Sequence, residues 1–246
     1  MIGKYVDLAD SYKSLNESLL HASVHNNNSL EIDFIDSEDI TKKNIKRLNN
    51  LQGIVVPGGF GNRGVEGKIL AANFARINDI PYFGICLGMQ ISVIEFARNI
   101  LGLKDANSTE FDLKTPFPVI SLVTEWDDDI RGKLRGSLRQ MGGTMRLGAQ
   151  SCTLMKKTLA HSLYKKNTIS ERHRHRYEVN NKFVSKFNKT DLVFSGYSGN
   201  KDLMEMLELK RHPWYLASQF HPEFTSSPLK GHPLFNSFIK TAYETK

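Results

Sequence analysis

Cys86, His221 and Glu223 are the residues whose types and spacing could perform covalent chemistry in this chain. Cys86 lies in the stretch GICLG, and the histidine and the glutamate lie near the C-terminus in QFHPEF. A cysteine nucleophile needs a base within hydrogen-bond reach, and that base needs a third group that orients it. If HPE is extended, Glu223 can hold one ring nitrogen of His221 while the other faces the sulfur. The pattern predicts a Cys–His–Glu triad, although GICLG alone also fits a buried core cysteine and HPE alone a loop histidine.

Alternating strand and helix patterns predict the elements that position these side chains. A buried strand precedes Cys86 and a helix follows it, so GICLG has the form of a nucleophile elbow, a tight turn at the carboxyl edge of a sheet. The alternation predicts an α/β fold with a doubly wound, mostly parallel central sheet and helices on both faces. The predicted strands of this part are Ile2–Val6, Leu30–Ile35, Gly53–Val56, Ile80–Ile85 and the C-terminal Trp214–Gln219. The predicted helices are Asp10–His21, Glu38–Leu51, Glu66–Ile77, Leu87–Leu101 and one from Pro233. Shorter strands and a polar loop or hairpin are predicted beyond Glu110, at Val119–Thr124, Leu192–Gly196 and Asp127–Arg139.

The glycine-rich stretch VVPGGFGNR follows the predicted strand Gly53–Val56. Glycines at such a place let backbone N–H groups approach a ligand closely, as an oxyanion hole or a phosphate cradle. The stretch matches neither the P-loop nor the dinucleotide-binding pattern, so the phosphate interpretation is weak. With a thiol and a base nearby, we predict that the N–H groups of Gly59 and Leu87 stabilise the oxygen of a tetrahedral intermediate.

Composition limits the class of protein. A chain of 246 residues with 40% hydrophobic content fits one α/β domain over residues 1–246. The most apolar window is interrupted by Gly84, Gly88 and Gln90, so no membrane span is predicted, and two cysteines favour a reducing, cytoplasmic setting. Cys152 is predicted to be a small core residue. The net charge of +7 raises nucleic-acid binding as a possibility, but the lysines are scattered and no recognition motif accompanies them.

Several motifs together resemble one enzyme family. PGGFG, GICLGMQ and QFHPEF stand in the order found in class I, triad-type glutamine amidotransferases. GKYVDLADSYKSLNESL, GGFGNRGVEGK, DANSTEF, GGTMRLGAQ, ERHRHRYEVNN and GHPLF are similar to the glutaminase domain of CTP synthases, and they span nearly all of the chain. The resemblance implies hydrolysis of L-glutamine to glutamate and ammonia, with Cys86 as nucleophile and a glutamyl thioester as intermediate.

The resemblance also implies which residues bind the substrate. Glu110, in NSTEF, and Arg176, the last arginine of RHRHR, would hold the charged end of glutamine. Gln90 and the backbone of Gly59 and Leu87 would be further contacts. Taken alone, Glu110 fits a surface carboxylate, and RHRHR fits a solvated basic strand or a metal-binding His-x-His. No metal site is predicted in this chain.

For the complete enzyme, the resemblance implies that the ammonia passes to an amidoligase domain that uses ATP and Mg²⁺ to convert UTP into CTP. It implies a homo-oligomer, a tetramer, and GTP as an allosteric activator. The activator would act on a lid at Gly61–Gly67, which includes Arg63, Glu66 and Gly67. Because the family carries further apolar residues before a methionine that matches Met1, we expect a fragment with a truncated first strand and low stability.

Three other interpretations are open. A γ-glutamyl hydrolase-like enzyme could share the elbow and the catalytic histidine, but it is not expected to carry GGTMRLG or RHRHRYEVNN. An inactive fragment could act only as an interaction module, although Cys86, His221 and Glu223 are all present. Nucleic-acid binding is supported by charge alone.

Overall fold

A seven-stranded mixed sheet forms the centre of the fold. The structure is a computed structural model that describes residues 1–4, 6, 10–122, 145–199 and 203–245, and only the backbone of 125–128 and 132–135. The strands are β1 (Ile2–Gly3), β2 (Ile35–Asp36), β3 (Ile54–Val56), β4 (Tyr82–Ile85), β5 (Ala106–Ser108), β6 (Phe117–Leu122), β7 (Glu125–Asp128), β8 (Gly132–Arg135), β9 (Arg146–Leu154), β10 (Thr168–His175), β11 (Tyr177–Val179), β12 (Leu192–Ser198), β13 (Leu203–Leu209) and β14 (Tyr215–Ser218). The α-helices are α1 (Lys13–His25), α2 (Val65–Ile77), α3 (Leu87–Asn99), α4 (Leu159–Tyr164), α5 (Asn181–Phe187) and α6 (Pro233–Glu244).

The central sheet has the strand order β10-β9-β12-β13-β14-β4-β3. β14, β4 and β3 run parallel, and the remaining pairs are antiparallel. Smaller sheets pair β1 with β2, β7 with β8, and β11 with β6 and β5. The predicted α/β fold is confirmed, but the sheet is mixed rather than mostly parallel. Short connections join β12, β13 and β14, and a short connection favours an antiparallel neighbour because a parallel one requires a long crossover.

Helices cover both faces of the parallel part of the sheet, as predicted. Val55 and Phe83 belong to a buried cluster that includes the apolar residues of α1 and α6. Val56 and Tyr82, their neighbours along the two strands, belong to a second buried cluster, which includes the apolar residues of α2 and α3. Because successive side chains of a strand point to opposite faces, each strand supplies both layers of the core. Among the described residues, no helix combines the length and hydropathy required to cross a bilayer.

Two predicted elements differ from the observed ones. The predicted helix Glu38–Leu51 is replaced by two short 3₁₀ helices, Ser37–Asp39 and Ile45–Asn50. Between them the Asn44 side chain accepts from the Thr41 N–H at 2.9 Å and donates to the Asp39 carbonyl at 2.7 Å. These local bonds compete with a continuous helix. The predicted strand Leu30–Ile35 is paired only at Ile35–Asp36, where β2 contacts β1.

The other predictions hold to within a few residues. The predicted helix Asp10–His21 is observed as α1, a few residues later, and β7 with β8 forms a hairpin that begins two residues before the predicted region Asp127–Arg139 and overlaps it. The ends of the predicted strands Ile2–Val6 and Val119–Thr124 include residues 5, 123 and 124, which lie outside the described residues, as do 129–131 and 136–139.

Candidate active site

Cys86 occupies a strained turn between β4 and α3. Its backbone has φ 52° and ψ −100°, an unfavourable conformation for a residue with a Cβ, and its side chain is 2% exposed. The two flanking glycines are required by close packing. A Cβ on Gly84 would lie 2.7 Å from the carbonyl carbon of Gly88, and a Cβ on Gly88 would lie 2.2 Å from the carbonyl oxygen of Val56. The sequence GICLG therefore forms the predicted nucleophile elbow.

His221 lies at the same edge of the sheet, because it follows β14, the parallel neighbour of β4. Its Nδ1 is 2.7 Å from Glu223 Oε1, and its ring stacks on Phe224 with centroids 5.2 Å apart. The backbone N–H of His221 donates to the Arg172 carbonyl at 2.8 Å. Residues Pro222–Phe224 form a 3₁₀ turn rather than the extended segment assumed for HPE, and the turn still brings the two side chains together.

The environment favours the protonated form of His221. Burial lowers its pKa, but the neighbouring Cys86 and Glu223 outweigh burial and raise the pKa to about 10. An imidazolium close to a sulfur favours the thiolate, the nucleophilic form of cysteine. His221 can therefore carry a proton beside the sulfur near neutral pH.

The glycine-rich loop after β3 lies against both groups. A Cβ on Gly59 would contact Leu87 Cδ2 at 3.4 Å, so the predicted oxyanion residues Gly59 and Leu87 are adjacent. Leu87 begins α3, where N–H groups have no partner within the helix. Gly58 was not singled out from the sequence, although it belongs to the quoted motif. A Cβ on it would lie 2.7 Å from His221 Cε1 and 3.5 Å from Cys86 Cβ.

A cavity of about 380 Å³ opens beside the sulfur. Four predicted site residues line it, namely Gly59, Cys86, His221 and Glu223. The rest of its lining comes mainly from residues 10–15 at the start of α1, the loop residues 57, 58 and 60, and Arg174. The thiol therefore faces a space large enough for a small polar molecule.

Three predicted substrate-binding side chains gather around Tyr177. Gln90 Nε2 donates to the Tyr177 carbonyl at 2.9 Å. Burial raises the pKa of Tyr177, the nearby Glu110 raises it further, and the nearby Arg176 lowers it. Gln90, Glu110 and Arg176 thus all lie near Tyr177, although none of them lines the cavity beside Cys86 within the described part of the chain.

Glu110 and Arg176 carry opposite charges, and they differ in how far other groups of the protein satisfy their hydrogen bonds. Glu110 Oε1 accepts from the Gly61 N–H at 2.7 Å, and burial raises the pKa of Glu110 despite this bond and the nearby Lys4. Nη1 of Arg176 is buried without a hydrogen-bond partner among the described residues. A buried guanidinium N–H without a partner is costly, so this atom is ready to bind an anionic group.

The predicted lid residues lie on the surface around the start of α2. Arg63 is half exposed and pairs with Glu38 at 2.7 Å and Asp36 at 3.3 Å. Glu66 accepts from Arg98 Nη1 at 2.9 Å. Gly67 packs tightly, because a Cβ there would lie 1.7 Å from the Ser37 carbonyl oxygen. Glu66 and Gly67 are in the first turn of α2, so only residues 61–64 of the predicted lid form a loop.

The first four residues of RHRHR end strand β10, where the exposed Arg172 and Arg174 alternate with the buried His173 and His175, and Arg176 follows the strand. His173 Nδ1 is 2.8 Å from His175 Nε2 and 3.7 Å from Glu205 Oε2, so these three residues could share a metal ion. However, Arg146 donates to Glu205 and to Glu178 at 2.7 Å each. Its cationic charge opposes a second cation, so the group fits an ion-pair network better than a metal centre.

Arg146 balances the charge of one of these two glutamates, and a proton can neutralise the other. Burial raises the pKa of Glu178 to about 8, although Arg146 lowers it. Burial also lowers the pKa of His173 and of His175. Cys152, which is fully buried nearby, has its pKa raised by burial and is a core residue, as predicted.

Comparison with known proteins agrees with this geometry. The family model described as Glutamine amidotransferase class-I matches residues 7–241. The Trypanosoma brucei CTPS glutaminase domain with bound acivicin is 38% identical, with a TM-score of 0.89, over 99% of this chain and 92% of that one. A putative GMP synthase protein from Thermoplasma acidophilum is 14% identical with a TM-score of 0.60, covering 99% of this chain and 94% of that one. At that identity it supports the fold alone.

An elbow cysteine, a histidine–glutamate pair at the neighbouring strand end and a family match over residues 7–241 define a class of protein: the chain belongs to the class I glutamine amidotransferases. Within that class, it groups with the glutaminase domains of CTP synthases.

Proposed function

We propose that this chain hydrolyses L-glutamine and is the ammonia-producing domain of a CTP synthase. The observation that carries the proposal is Cys86 in the strained elbow, beside a His221 that is held by Glu223 at 2.7 Å. The similar T. brucei domain has acivicin bound. Residues 1–246 are proposed to form a single glutaminase domain.

The proposed reaction begins with attack of the Cys86 thiolate on the side-chain carboxamide carbon of glutamine. The carbonyl π electrons move to oxygen, and the N–H groups of Gly59 and Leu87 stabilise that oxyanion. The tetrahedral intermediate collapses as the C–N bond breaks, and His221 gives its proton to the leaving nitrogen, which departs as ammonia. His221 then takes a proton from water, which attacks the thioester. Collapse of the second intermediate releases glutamate and restores the thiolate, while Glu223 keeps the ring of His221 oriented.

Recognition of the amino acid end is proposed for the group around Tyr177. The unpartnered Nη1 of Arg176 is suited to the α-carboxylate of glutamine, and Glu110 is suited to its α-ammonium. Because the α-substituents lie about 5 Å from the carboxamide carbon in an extended side chain, the two groups need not line the cavity next to the sulfur. Gln90 donates to Tyr177 and to Gln219, so it would act on the substrate indirectly.

The wider assignment is also a proposal. The ammonia would aminate UTP on an amidoligase domain, which would use ATP and Mg²⁺, and no step in this chain involves either. GTP would act through the Arg63, Glu66 and Gly67 region, and the complete enzyme would be a tetramer. A cytoplasmic setting is proposed because both cysteines are free and Cys86 must be reduced to react.

Glutamate release from L-glutamine by the purified chain, with and without GTP, tests the proposal. Cys86→Ala should abolish release, and the matched Cys152→Ala should keep it, because Cys152 is buried in the core. Equal rates for both variants would contradict the assignment of the nucleophile. Release from γ-glutamyl peptides but not from glutamine would favour the γ-glutamyl hydrolase interpretation. A folded chain inactive toward both substrates would favour an interaction module.

A further inference from the structure

Gln219 is a buried residue in contact with the reactive sulfur. It follows β14, its side chain is fully buried, and its backbone N–H donates to the Glu205 carbonyl at 2.8 Å. Its Nε2 lies 3.7 Å from Cys86 Sγ, within reach of an N–H···S hydrogen bond. On another side, the Arg174 carbonyl oxygen is 4.0 Å from the same sulfur. Besides His221, the sulfur therefore has an amide donor and a carbonyl acceptor beside it.

A chain of hydrogen bonds fixes which end of the Gln219 amide faces Cys86. The Tyr177 carbonyl can only accept, so it must face the NH₂ group of Gln90, which lies 2.9 Å away. The second hydrogen of that NH₂ group points to Gln219 Oε1 at 3.3 Å. With its oxygen engaged there, Gln219 presents NH₂ to the sulfur. The orientation follows from an acceptor that cannot be flipped.

The donor and the acceptor favour different forms of Cys86. A thiol can donate its hydrogen to the Arg174 carbonyl, whereas a thiolate has no hydrogen and is stabilised by the Gln219 N–H. A hydrogen bond to a charged group in a buried site is stronger than one to a neutral group. Gln219 thus makes its larger contribution when the sulfur is negatively charged.

We propose that Gln219 is a positioning residue that stabilises the Cys86 thiolate from inside the protein, and that Gln90 holds it in the productive orientation. The inference rests on the proposed function, in which Cys86 is the nucleophile. It gives Gln90 a role other than direct substrate contact, consistent with its 3% exposure and with the Nε2 bonds it makes to Tyr177 and Gln219.

Alkylation of Cys86 by iodoacetamide tests this role without using glutaminase activity. All proteins carry Cys152→Ala, so that Cys86 is the only thiol. In Gln219→Met, a side chain of similar length without a donor, we expect the midpoint of the pH–rate profile to move up by about one pH unit. Below the midpoint, alkylation should then be about tenfold slower, since one unit is a tenfold change in thiolate fraction.

Two comparisons separate positioning from damage to the fold. Gln90→Met keeps the Gln219 amide but removes the donor that orients it. This variant should therefore shift the midpoint of the pH–rate profile upward as well, by a smaller amount. This variant also tests the proposal if Gln219→Met does not fold. A folded Gln219→Met or Gln90→Met with an unchanged profile overturns the proposal. If the profiles shift but the unsubstituted protein releases no glutamate, the role of Gln219 stands and the proposed function fails.

Discussion

Replacement of Gly58 by alanine should strongly lower activity by displacing His221. The new Cβ would lie 2.7 Å from His221 Cε1, whereas carbon atoms in contact are separated by about 3.5 Å or more. One of the two groups must therefore move by about 0.8 Å. Cε1 lies at the far end of its side chain, but the ring is held by Glu223 at 2.7 Å and stacks on Phe224, so it cannot move without losing its orientation.

The magnitude follows from how strictly a proton-transfer group must be placed. A displacement of about 1 Å costs about 100-fold in rate. We therefore expect kcat of Gly58→Ala to fall about 100-fold, equivalent to about 2.7 kcal/mol of barrier. The melting temperature should change little by comparison, because the added methyl group contacts the open active-site edge rather than the core.

Steady-state glutamate release and a thermal melt measure these effects. Gly59→Ala is the matched control, because it adds the same methyl group one residue away. There the Cβ meets, among the residues that the structure describes, only Leu87 Cδ2, at 3.4 Å, and the backbone N–H is retained. We expect a loss under about tenfold for this control, well below the loss from displacing His221. If Gly58→Ala keeps kcat within threefold of the unsubstituted protein, or if both variants lose the same amount, the reasoning is refuted.

Two further predictions concern charge. Glutamine hydrolysis should decline as pH rises through about 10, because His221 then loses the proton that it gives to the leaving ammonia. In Glu223→Gln this decline should begin at lower pH, because Glu223 helps to raise the pKa of His221. A pH–rate profile identical to that of the unsubstituted protein would contradict this role of Glu223. Arg176→Ala should raise KM for glutamine about 10- to 100-fold with a smaller change in kcat, because a charged hydrogen bond contributes about 1.5 to 3 kcal/mol. The KM of Arg176→Lys should lie between those of Arg176→Ala and the unsubstituted protein. An unchanged KM in Arg176→Ala would exclude the proposed carboxylate contact.

The parts of the site that follow from short-range rules could be predicted from the sequence. Cys86 stands between an apolar run and a helix pattern, and small neighbours are a steric condition of the elbow, so GICLG together with HPE indicates the triad. The predicted triad residues gather at one edge of the sheet because the parallel strands β4 and β14 end there. The mixed character of the sheet was not visible, because strand direction depends on which distant strands become neighbours.

Other features depended on contacts between distant segments. Gly58 matters because His221 lies against it, and Gln219 matters because Gln90 and Cys86 meet it from α3 and the elbow. Nothing in the local pattern distinguishes such a glutamine from any polar residue at a strand end. Its burial beside a motif cysteine is the signal that a three-dimensional arrangement adds.

The position of β14 in the middle of the sheet determines when the protein can become an enzyme. β14 lies between β13 and β4, and it pairs Ala217 with Gly84, far apart in sequence. Contacts of such long range form slowly, because the intervening chain must first be ordered. During synthesis the elbow and the glycine loop are made early, but their base arrives only when β14 inserts. We therefore expect closure of the sheet and assembly of the site to coincide in folding, so that the nascent chain carries Cys86 without its histidine until then.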